Sequence, residues 1–363
     1  MTSDPRAVES AQVVLPATEP ISTTIDFFTS LGFKVRTIVP ADHPRMAVLA
    51  GHGLTLRLES GSALPPGRLR LLTTGDAPGE MTGPNGTVVE FAPAHPPLHI
   101  PELEEAFVVS RAPRPGDDAG FGEGRAGMRY RDLIPDRLGG RFIASHILIP
   151  EGGPVADYVH YHHIRFQMIY CHRGWVKVAY EDQGEPMMMH EGDCFLQPST
   201  IRHRVLEASD RMQVVEIGCP AEHETWGDPD TVLPTAAVLP DRGYGDDGHR
   251  FVFHRAADAT WSPWRLAGYE HRDTGIGTAT DGVAAARVVR PVGSPAPVTT
   301  SHDAEFVFTF VLDGAITLQH ADDEPLRLGE GDSFVMPAHT PYTLSDPSAD
   351  LQLLDVTLPA IVS

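Results

Sequence analysis

The chain is dominated by short apolar segments that end at glycine, proline or aspartate, and this pattern restricts the folds open to it. From Gly127 to about Pro220 such segments follow one another with no stretch of helical periodicity. Eight or so consecutive short strands predict a sandwich or jelly roll. The pattern then repeats, because Gly192-Asp193-x-Phe195 returns as Gly331-Asp332-x-Phe334, 139 residues later. The sequence therefore predicts two similar β-domains in tandem.

Histidines in the first of these domains have the spacing of metal ligands. His160 and His162 are separated by one residue, and alternate side chains of a strand share a face. Gln167 can join that face only after a turn or bulge, because it lies an odd number of residues farther on. His203 belongs to a later strand that a closed barrel can bring opposite. Three imidazoles and one amide oxygen at one point predict a metal site.

The punctuation around these residues resembles the two motifs of the cupin family, G-x5-H-x-H-x(3,4)-E-x6-G and G-x5-P-x-G-x2-H-x3-N. Gly174, Gly192 and Pro198 fall at motif positions, while Thr200 replaces a glycine and Gln167 replaces the glutamate. The resemblance implies two jelly-roll β-barrels, with one divalent transition metal per chain bound in the first. The implied metal ligands are His160, His162, His203 and Gln167. Whether Gln167 itself binds the metal stays open.

The second repeat keeps only part of this site. Its equivalent positions are Thr300, His302, Val307 and Tyr342. Protein metal sites usually draw on three or four ligands, and Val307 has no donor atom. The second barrel is therefore expected to be free of metal.

The first 95 residues have a different pattern. Ile21, Ile25 and Phe28 recur at helical spacing, and Gly32 suits a helix end. With the strands around it this helix gives the order βαβββ, which resembles one module of the vicinal-oxygen-chelate (glyoxalase and bleomycin-resistance) superfamily. The Leu-Gly-Phe corner and the closing Asn-Gly-Thr-Val-Val-Glu-Phe strand carry the resemblance. That family often takes a metal-binding glutamate from the last strand, matched here by Glu90. The first strand has no ligand, so a metal-free half-barrel is expected.

The predicted class is mainly β, with one α+β module followed by two cupin barrels. The predicted bounds are 1–95 for the glyoxalase-like module, 96–124 for a linker, 125–221 for the metal-binding barrel, 222–248 for a second linker and 249–363 for the metal-free barrel. A single module leaves a sheet open, and two chains can cover it by pairing. A homodimer is therefore expected.

The net charge argues against polyanionic partners. Lys+Arg 28 and Asp+Glu 49 give −21, which disfavours binding to nucleic acid and to anionic membranes. No apolar run approaches the ~20 residues of a membrane helix, and the N-terminus lacks the pattern of a secretory signal. The expected location is the cytoplasm.

Three neutral imidazoles accept Fe, Ni, Mn, Cu or Zn, and spacing does not choose among them. With Gln167 in place of glutamate the protein ligands are neutral, so a bound divalent ion attracts an anionic chelating substrate such as an enolate, a catecholate or a carboxylate. Three-histidine centres in cupins resemble those of dioxygenases. By that resemblance Fe(II) is the favoured metal and dioxygen the co-substrate.

The leading hypothesis is a metal-dependent cupin oxygenase acting on a small anionic or enolisable substrate, aromatic acids included. Arg165 and Arg202 are candidate contacts to the anion, because guanidinium suits carboxylate geometry. Tyr170 is a candidate acid or base. Two alternatives stay open: a cupin isomerase or lyase whose metal only polarises a carbonyl, and a non-catalytic protein that binds or senses a small molecule.

Overall fold

The computed structural model describes residues 8–76, 79–113 and 120–362. The chain divides into two compact units, Met1–Pro97 and Leu98–Ser363. Strands account for 45% of residues and helices for 7%, which confirms the predicted mainly-β class. The predicted first linker includes residues 114–119 and the predicted N-terminal module begins with residues 1–7, and both stretches lie outside the described residues. None of the described helices has the length and apolar composition that crossing a membrane requires.

The N-terminal unit is one helix packed on a four-stranded sheet, with a separate three-stranded sheet. Its elements are β1 (Val13–Ala17), α1 (Ile21–Ser30), β2 (Lys34–Val39), β3 (Met46–Gly51), β4 (Leu54–Ser60), β5 (Arg68–Thr73), β6 (Glu80–Thr82) and β7 (Val88–Pro93). The sheet orders are β1-β4-β3-β2, with β1 parallel to β4, and β5-β7-β6. Ile25 and Phe28 of α1 share a buried core with Leu15, Leu49 and Leu56 of the larger sheet. The helical spacing read from the sequence is thus the packing face of α1.

The elements predicted for this unit are present in the predicted order, while its resemblance to the vicinal-oxygen-chelate superfamily stays a prediction. Glu90 on β7 lies 3.4 Å from Arg70 Nε and 3.5 Å from Arg68 Nη2. Strand β2 forms one edge of its sheet and leaves Ile38 and Val39 40% and 47% exposed. Pairing of two chains through this unit also stays a prediction.

The C-terminal unit contains the two barrels. The elements up to the end of the first barrel are β8 (Val108–Ser110), β9 (Gly122–Glu123), β10 (Arg129–Asp132), α2 (Arg137–Gly140), β11 (Ile143–Ile149), β12 (Gly153–Pro154), β13 (His160–His162), β14 (Phe166–Arg173), β15 (Trp175–Tyr180), β16 (Met187–His190), β17 (Cys194–Leu196), β18 (His203–Ala208), β19 (Met212–Cys219) and β20 (Thr225–Gly227). A short 3-10 turn lies at Arg125–Gly127.

The remaining elements connect and build the second barrel. They are β21 (Gly243–Tyr244), β22 (His249–Arg250), β23 (Val252–His254), β24 (Ser262–Pro263), β25 (Tyr269–Asp273), α3 (Ile276–Ala279), β26 (Ala285–Pro291), β27 (Val298–Thr300), β28 (Phe306–Asp313), β29 (Ala315–His320), β30 (Leu326–Gly329), β31 (Ser333–Val335), β32 (Tyr342–Ser345) and β33 (Gln352–Leu358). A 3-10 turn lies at Ala256–Asp258.

Each barrel has two facing sheets. In the first barrel the sheet β16-β15-β18-β13-β20, with β12 added to β18, faces the seven-stranded sheet β23-β17-β14-β19-β11-β10-β9. In the second barrel the sheet β27-β32-β29-β30 faces the seven-stranded sheet β24-β25-β26-β33-β28-β31-β8. The hairpins β15–β16 and β29–β30 occupy equivalent places in the two barrels.

The two barrels exchange strands. Strand β8 precedes the first barrel but pairs with β31 of the second, and β23 precedes the second barrel but pairs with β17 of the first. Asp193 Oδ1 accepts a hydrogen bond from Ala256 N at 2.8 Å, and Asp332 Oδ1 accepts one from Ala112 N at 2.7 Å. The repeated Gly-Asp segments thus anchor the exchanged chain. Strand pairing therefore crosses the predicted domain bounds. Strand β8 lies in the predicted first linker but pairs with the second barrel, and β23 lies within the predicted second barrel but pairs with the first.

Strand β14 separates two interiors by the alternation of its side chains. Met168 and Tyr170 face a core shared with the second barrel, which includes Phe308 and Leu354. Gln167 and Ile169 face the interior of the first barrel instead. A one-residue step along β14 therefore decides whether a side chain can reach the barrel cavity.

Candidate metal centre

The three predicted histidine ligands meet at the mouth of the first barrel. His160 and His162 are the outer residues of β13, and His160 lies directly opposite His203, the first residue of β18. All three side chains are buried. Their candidate ligand atoms lie within 4.8 Å of one another, and they are the only such group of His, Cys, Asp or Glu side chains among the described residues. After β13 the chain turns as predicted, and Gln167 then lines the same cavity as the three histidines.

Backbone carbonyls orient all three rings. Each imidazole pairs its Nδ1 with a carbonyl oxygen: His160 with Tyr158 at 2.7 Å, His162 with Glu224 at 3.2 Å and His203 with Ile201 at 3.0 Å. A carbonyl only accepts, so Nδ1 carries the proton and the lone pair lies on Nε2. This is the tautomer and orientation that metal-binding histidines adopt.

Burial keeps the rings neutral. It lowers the pKa of His162 to about 3, with smaller contributions from His223 and His160. Burial also lowers the pKa of His160, assisted by the Arg125 guanidinium, and lowers the pKa of His203 well below its usual value. A neutral imidazole is the form that binds a metal, so the lowered pKa values favour metal binding at this site. The residues present fit a divalent transition metal.

A polar row on the opposite sheet faces the histidines. Glu216 on β19, Gln167 on β14 and Gln197 just after β17 line the same cavity. Gln167 Nε2 donates a hydrogen bond to Glu216 Oε1 at 2.6 Å. Since a carboxylate only accepts, this bond uses one N–H of the amide and fixes its orientation, and Gln167 Oε1 and the second N–H are left for other contacts. The cupin motif has a negatively charged glutamate where this chain has the neutral Gln167. Here the negative charge lies instead on Glu216, the hydrogen-bond partner of Gln167.

An arginine outside the motifs also reaches the centre. Arg125 donates from Nη2 to His160 Nε2 at 3.0 Å and forms an ion pair with Asp157. Asp157 in turn accepts a hydrogen bond from Val205 N at 2.9 Å, so the guanidinium is held from the barrel wall. The single lone pair of His160 Nε2 can accept a hydrogen bond from Arg125 or bind a metal ion, but it cannot do both at once.

The structure does not bring the predicted catalytic residues to the histidines. Tyr170 faces the core between the barrels, and its hydroxyl accepts a hydrogen bond from Arg272 at 3.1 Å. Arg165 is paired with Glu305 at 3.0 Å. None of these side chains lines the cavity.

Arg202 is held away from the cavity too. It pairs with Asp228 at 3.0 Å and stacks on Tyr161, 4.3 Å from the ring centroid. Thr200, two residues earlier, adopts φ +70°, the left-handed conformation that favours the glycine of the family motif.

Sequence reasoning missed four residues around the centre. They are Arg125, Gln197, Glu216 and His223. Three of them lie between or beyond the motif positions and carry no signal of their own. Glu216 did carry a sequence signal, because it is an acidic residue in the middle of an apolar strand and the second repeat has Asp355 at the equivalent position.

The rest of the cavity is apolar and small. Its wall includes Ile147, Val178, Phe195 and Val214, and its volume is about 90 Å³. An apolar cavity of about 150 Å³ accommodates benzene. The available space therefore suits a molecule of a few heavy atoms beside a metal ion.

In the second barrel an arginine contacts Tyr342, the residue equivalent to His203. Arg265 Nη2 donates to the Tyr342 hydroxyl at 3.1 Å and lies 3.8 Å from Asp355 Oδ1. His302 pairs its Nε2 with the Met336 carbonyl at 3.0 Å, which takes that nitrogen away from any ligand role. Burial raises the pKa of Asp355, and the guanidinium beside it opposes that rise. Tyr342 and His302, two of the ligand-equivalent residues, thus already have partners within the chain.

Comparison with known proteins agrees with this architecture. A family model described as "Cupin domain" matches residues 286–357, within the second barrel. Among solved structures, protein Ylba from E. coli is 12% identical, with TM-score 0.50 over 73% of this chain and 95% of that chain. The fold is bicupin-like. No curated protein matches the sequence.

Two oxalate decarboxylases share this bicupin-like fold. The Lactobacillus farciminis enzyme, solved as a formate complex, is 11% identical, with TM-score 0.51 over 70% of this chain and 87% of that chain. The Bacillus subtilis enzyme is 12% identical, with TM-score 0.50 over 70% of this chain and 78% of that chain. At this identity the likeness concerns the fold, and activity has to be argued from the site.

We expect one metal equivalent per chain. His162→Ala should abolish binding of Mn(II) or Zn(II), because two imidazoles remain, whereas His302→Ala in the second barrel should keep the full equivalent. Elemental analysis of the dialysed, reloaded proteins measures this. Two equivalents in the unmodified protein, with one lost in His302→Ala, would contradict the assignment of the metal to the first barrel.

Proposed function

We propose that this protein is a metal-dependent enzyme of the oxygenase type that converts a small organic acid at the centre formed by His160, His162 and His203. The observation that carries the proposal is the convergence of three neutral imidazoles with their Nε2 lone pairs free of backbone contacts. Fe(II) is the proposed metal and Mn(II) the second choice, since the B. subtilis relative in fold has Mn(II) centres. When bound, such an ion supplies Lewis acidity and, as iron, a means of activating dioxygen.

With a divalent ion bound, charge around the centre supports an anionic substrate even though Glu216 lines the same cavity. The three imidazoles are neutral, and Arg125 adds a guanidinium at His160. Because His160 Nε2 cannot serve both a metal and Arg125, a bound metal would leave the Arg125 guanidinium without this contact. Asp157 still holds it beside the cavity, where it can bind a carboxylate.

Glu216 is the acid–base candidate. Among the described residues it is the one carboxylate that lines the cavity, and Gln167 fixes one of its oxygens by hydrogen bond. A carboxylate near a bound cation stays ionised and can take a proton from an enolisable acid. Glu216 therefore takes the acid–base role that sequence reasoning gave to Tyr170.

Cavity size restricts the substrate class. A volume of about 90 Å³ supports small carboxylic acids and disfavours flavonols and other polycyclic compounds. The apolar wall excludes water from the side of the substrate that faces away from the metal, which strengthens the electrostatic contacts made there.

A second candidate is a metal-dependent lyase that removes carbon dioxide from a small carboxylate. Glu216 beside a small anion-binding cavity favours it, since a protonated carboxyl can return a proton to a carbanion. The oxalate decarboxylases that share the fold act on an acid of suitable size.

Oxygen uptake separates the two candidates. Protein loaded with Fe(II) or with Mn(II) is mixed with glyoxylate, oxalate, malonate, pyruvate or catechol in an oxygen electrode. The oxygenase proposal expects oxygen consumption in step with substrate loss, no turnover under argon, and no turnover by His162→Ala. Carbon dioxide release under argon at an undiminished rate would contradict it and favour the lyase. Binding without any turnover would favour a non-catalytic protein.

The Gln167–Glu216 pair gives a charge-swap test. Gln167→Glu alone places two carboxylates at hydrogen-bond distance, so in the metal-free protein one must take a proton, and we expect a lower Tm. The double variant Gln167→Glu/Glu216→Gln restores one amide and one carboxylate, with the charge at the position typical of the family. We expect it to recover the Tm and to bind metal at least as tightly as the unmodified protein. Calorimetric titration and thermal unfolding form the cycle.

A double variant no better than Gln167→Glu alone would show that the two side chains are not coupled. Glu216→Gln alone is the matched control, because it removes the charge without creating a second carboxylate.

A further inference from the structure

Gln197 is a buried amide whose side chain has no hydrogen-bond partner among the described residues. It is 2% exposed and lines the cavity between the two sheets. Within the described residues neither its Oε1 nor its Nε2 has a partner. Its backbone is well held, since Gln197 N donates to the Gln167 carbonyl at 2.9 Å.

Gln197 lies beside Gln167 and an otherwise apolar wall. Gln167 precedes Met168 and Gln197 follows Leu196, and because Met168 pairs with Leu196 on antiparallel strands, the two glutamines are adjacent across β14 and the end of β17. One N–H of the Gln167 amide is donated to Glu216, and among the described residues no hydrogen bond joins the two glutamine side chains. Beyond Gln197 the wall is apolar, as at Phe195.

An unpaired amide in such a place is costly. Buried polar groups are almost always paired, and leaving both a donor and an acceptor without partners forfeits their hydration. An apolar side chain of the same size would avoid that cost. The partner of Gln197 is therefore expected from outside the chain, in the cavity that faces the three histidines.

We propose that Gln197 determines substrate specificity, a proposal that rests on the proposed function. A side-chain amide presents one acceptor and one donor in a plane. It matches a group with a donor and an acceptor on neighbouring atoms, such as a carboxamide or a hydroxyl next to a carbonyl. A second carboxylate would satisfy Nε2 but face Oε1 with another acceptor. The substrate is then a small acid that binds Arg125 and the metal through its carboxylate and Gln197 through a carboxamide or hydroxyl group.

Oxamate and pyruvate test this, because they differ only in an amide NH2 against a methyl group. Titration calorimetry on the Mn(II)-loaded full chain is expected to show oxamate binding about tenfold tighter than pyruvate, since a site built around a hydrogen bond rejects the analogue that lacks it. In Gln197→Met this preference should fall to about twofold or less.

Thermal unfolding separates specificity from a structural role. Gln197→Met removes no hydrogen bond of the side chain, so its Tm should be equal to or above that of the unmodified protein. Gln167→Met is the matched control, and its Tm should fall because Glu216 loses its partner.

Each other outcome overturns the proposal in a distinguishable way. An oxamate preference that persists in Gln197→Met, or equal binding of the two probes to the unmodified protein, overturns the role of Gln197 alone. A lower Tm for Gln197→Met shows that the amide is structural. An unmodified, metal-loaded protein that binds neither probe overturns this proposal together with the proposed small-acid substrate.

Discussion

Three hydrogen bonds from imidazole Nδ1 to backbone carbonyls are the contacts on which the candidate centre depends. A histidine on a strand can rotate about two side-chain bonds, and the residue spacing alone does not say which nitrogen faces its neighbours. The carbonyls of Tyr158, Glu224 and Ile201 fix both the ring plane and the tautomer. Because these acceptors belong to the main chain, the barrel orients the ligands before any ion arrives. Burial then keeps the rings neutral, so both the orientation and the protonation state of the rings favour metal binding.

The barrels hold this arrangement through their shared core. Alternation along β14 sends one set of side chains into the core between the barrels and the other into the cavity. Strand exchange ties the two halves together on both sides, with Arg272 donating to the Gly192 carbonyl and Arg131 to that of Gly331. The second barrel therefore supports the first through these contacts.

Residue spacing predicted what depends on local periodicity. The strands, the duplicated barrels and the meeting of His160, His162 and His203 follow from alternation and from motif positions, and the structure has all of them. The same alternation places Tyr170 on the face opposite Gln167, so its location was within reach of sequence reasoning. Arg165 was not, because its partner Glu305 lies 140 residues away on the other barrel. Arg125 and Gln197 could not be predicted either, because they come close to the histidines only when the two sheets face each other.

We propose that His160, His162 and His203 together bind one metal ion in the first barrel. X-ray absorption at the zinc edge of the Zn(II)-loaded protein tests this most directly. We expect imidazole scattering from three rings with Zn–N distances of about 2.0–2.1 Å, and no bound zinc in His203→Ala, because only two imidazoles remain. A spectrum with oxygen ligands only, or full zinc binding by His203→Ala, would contradict this.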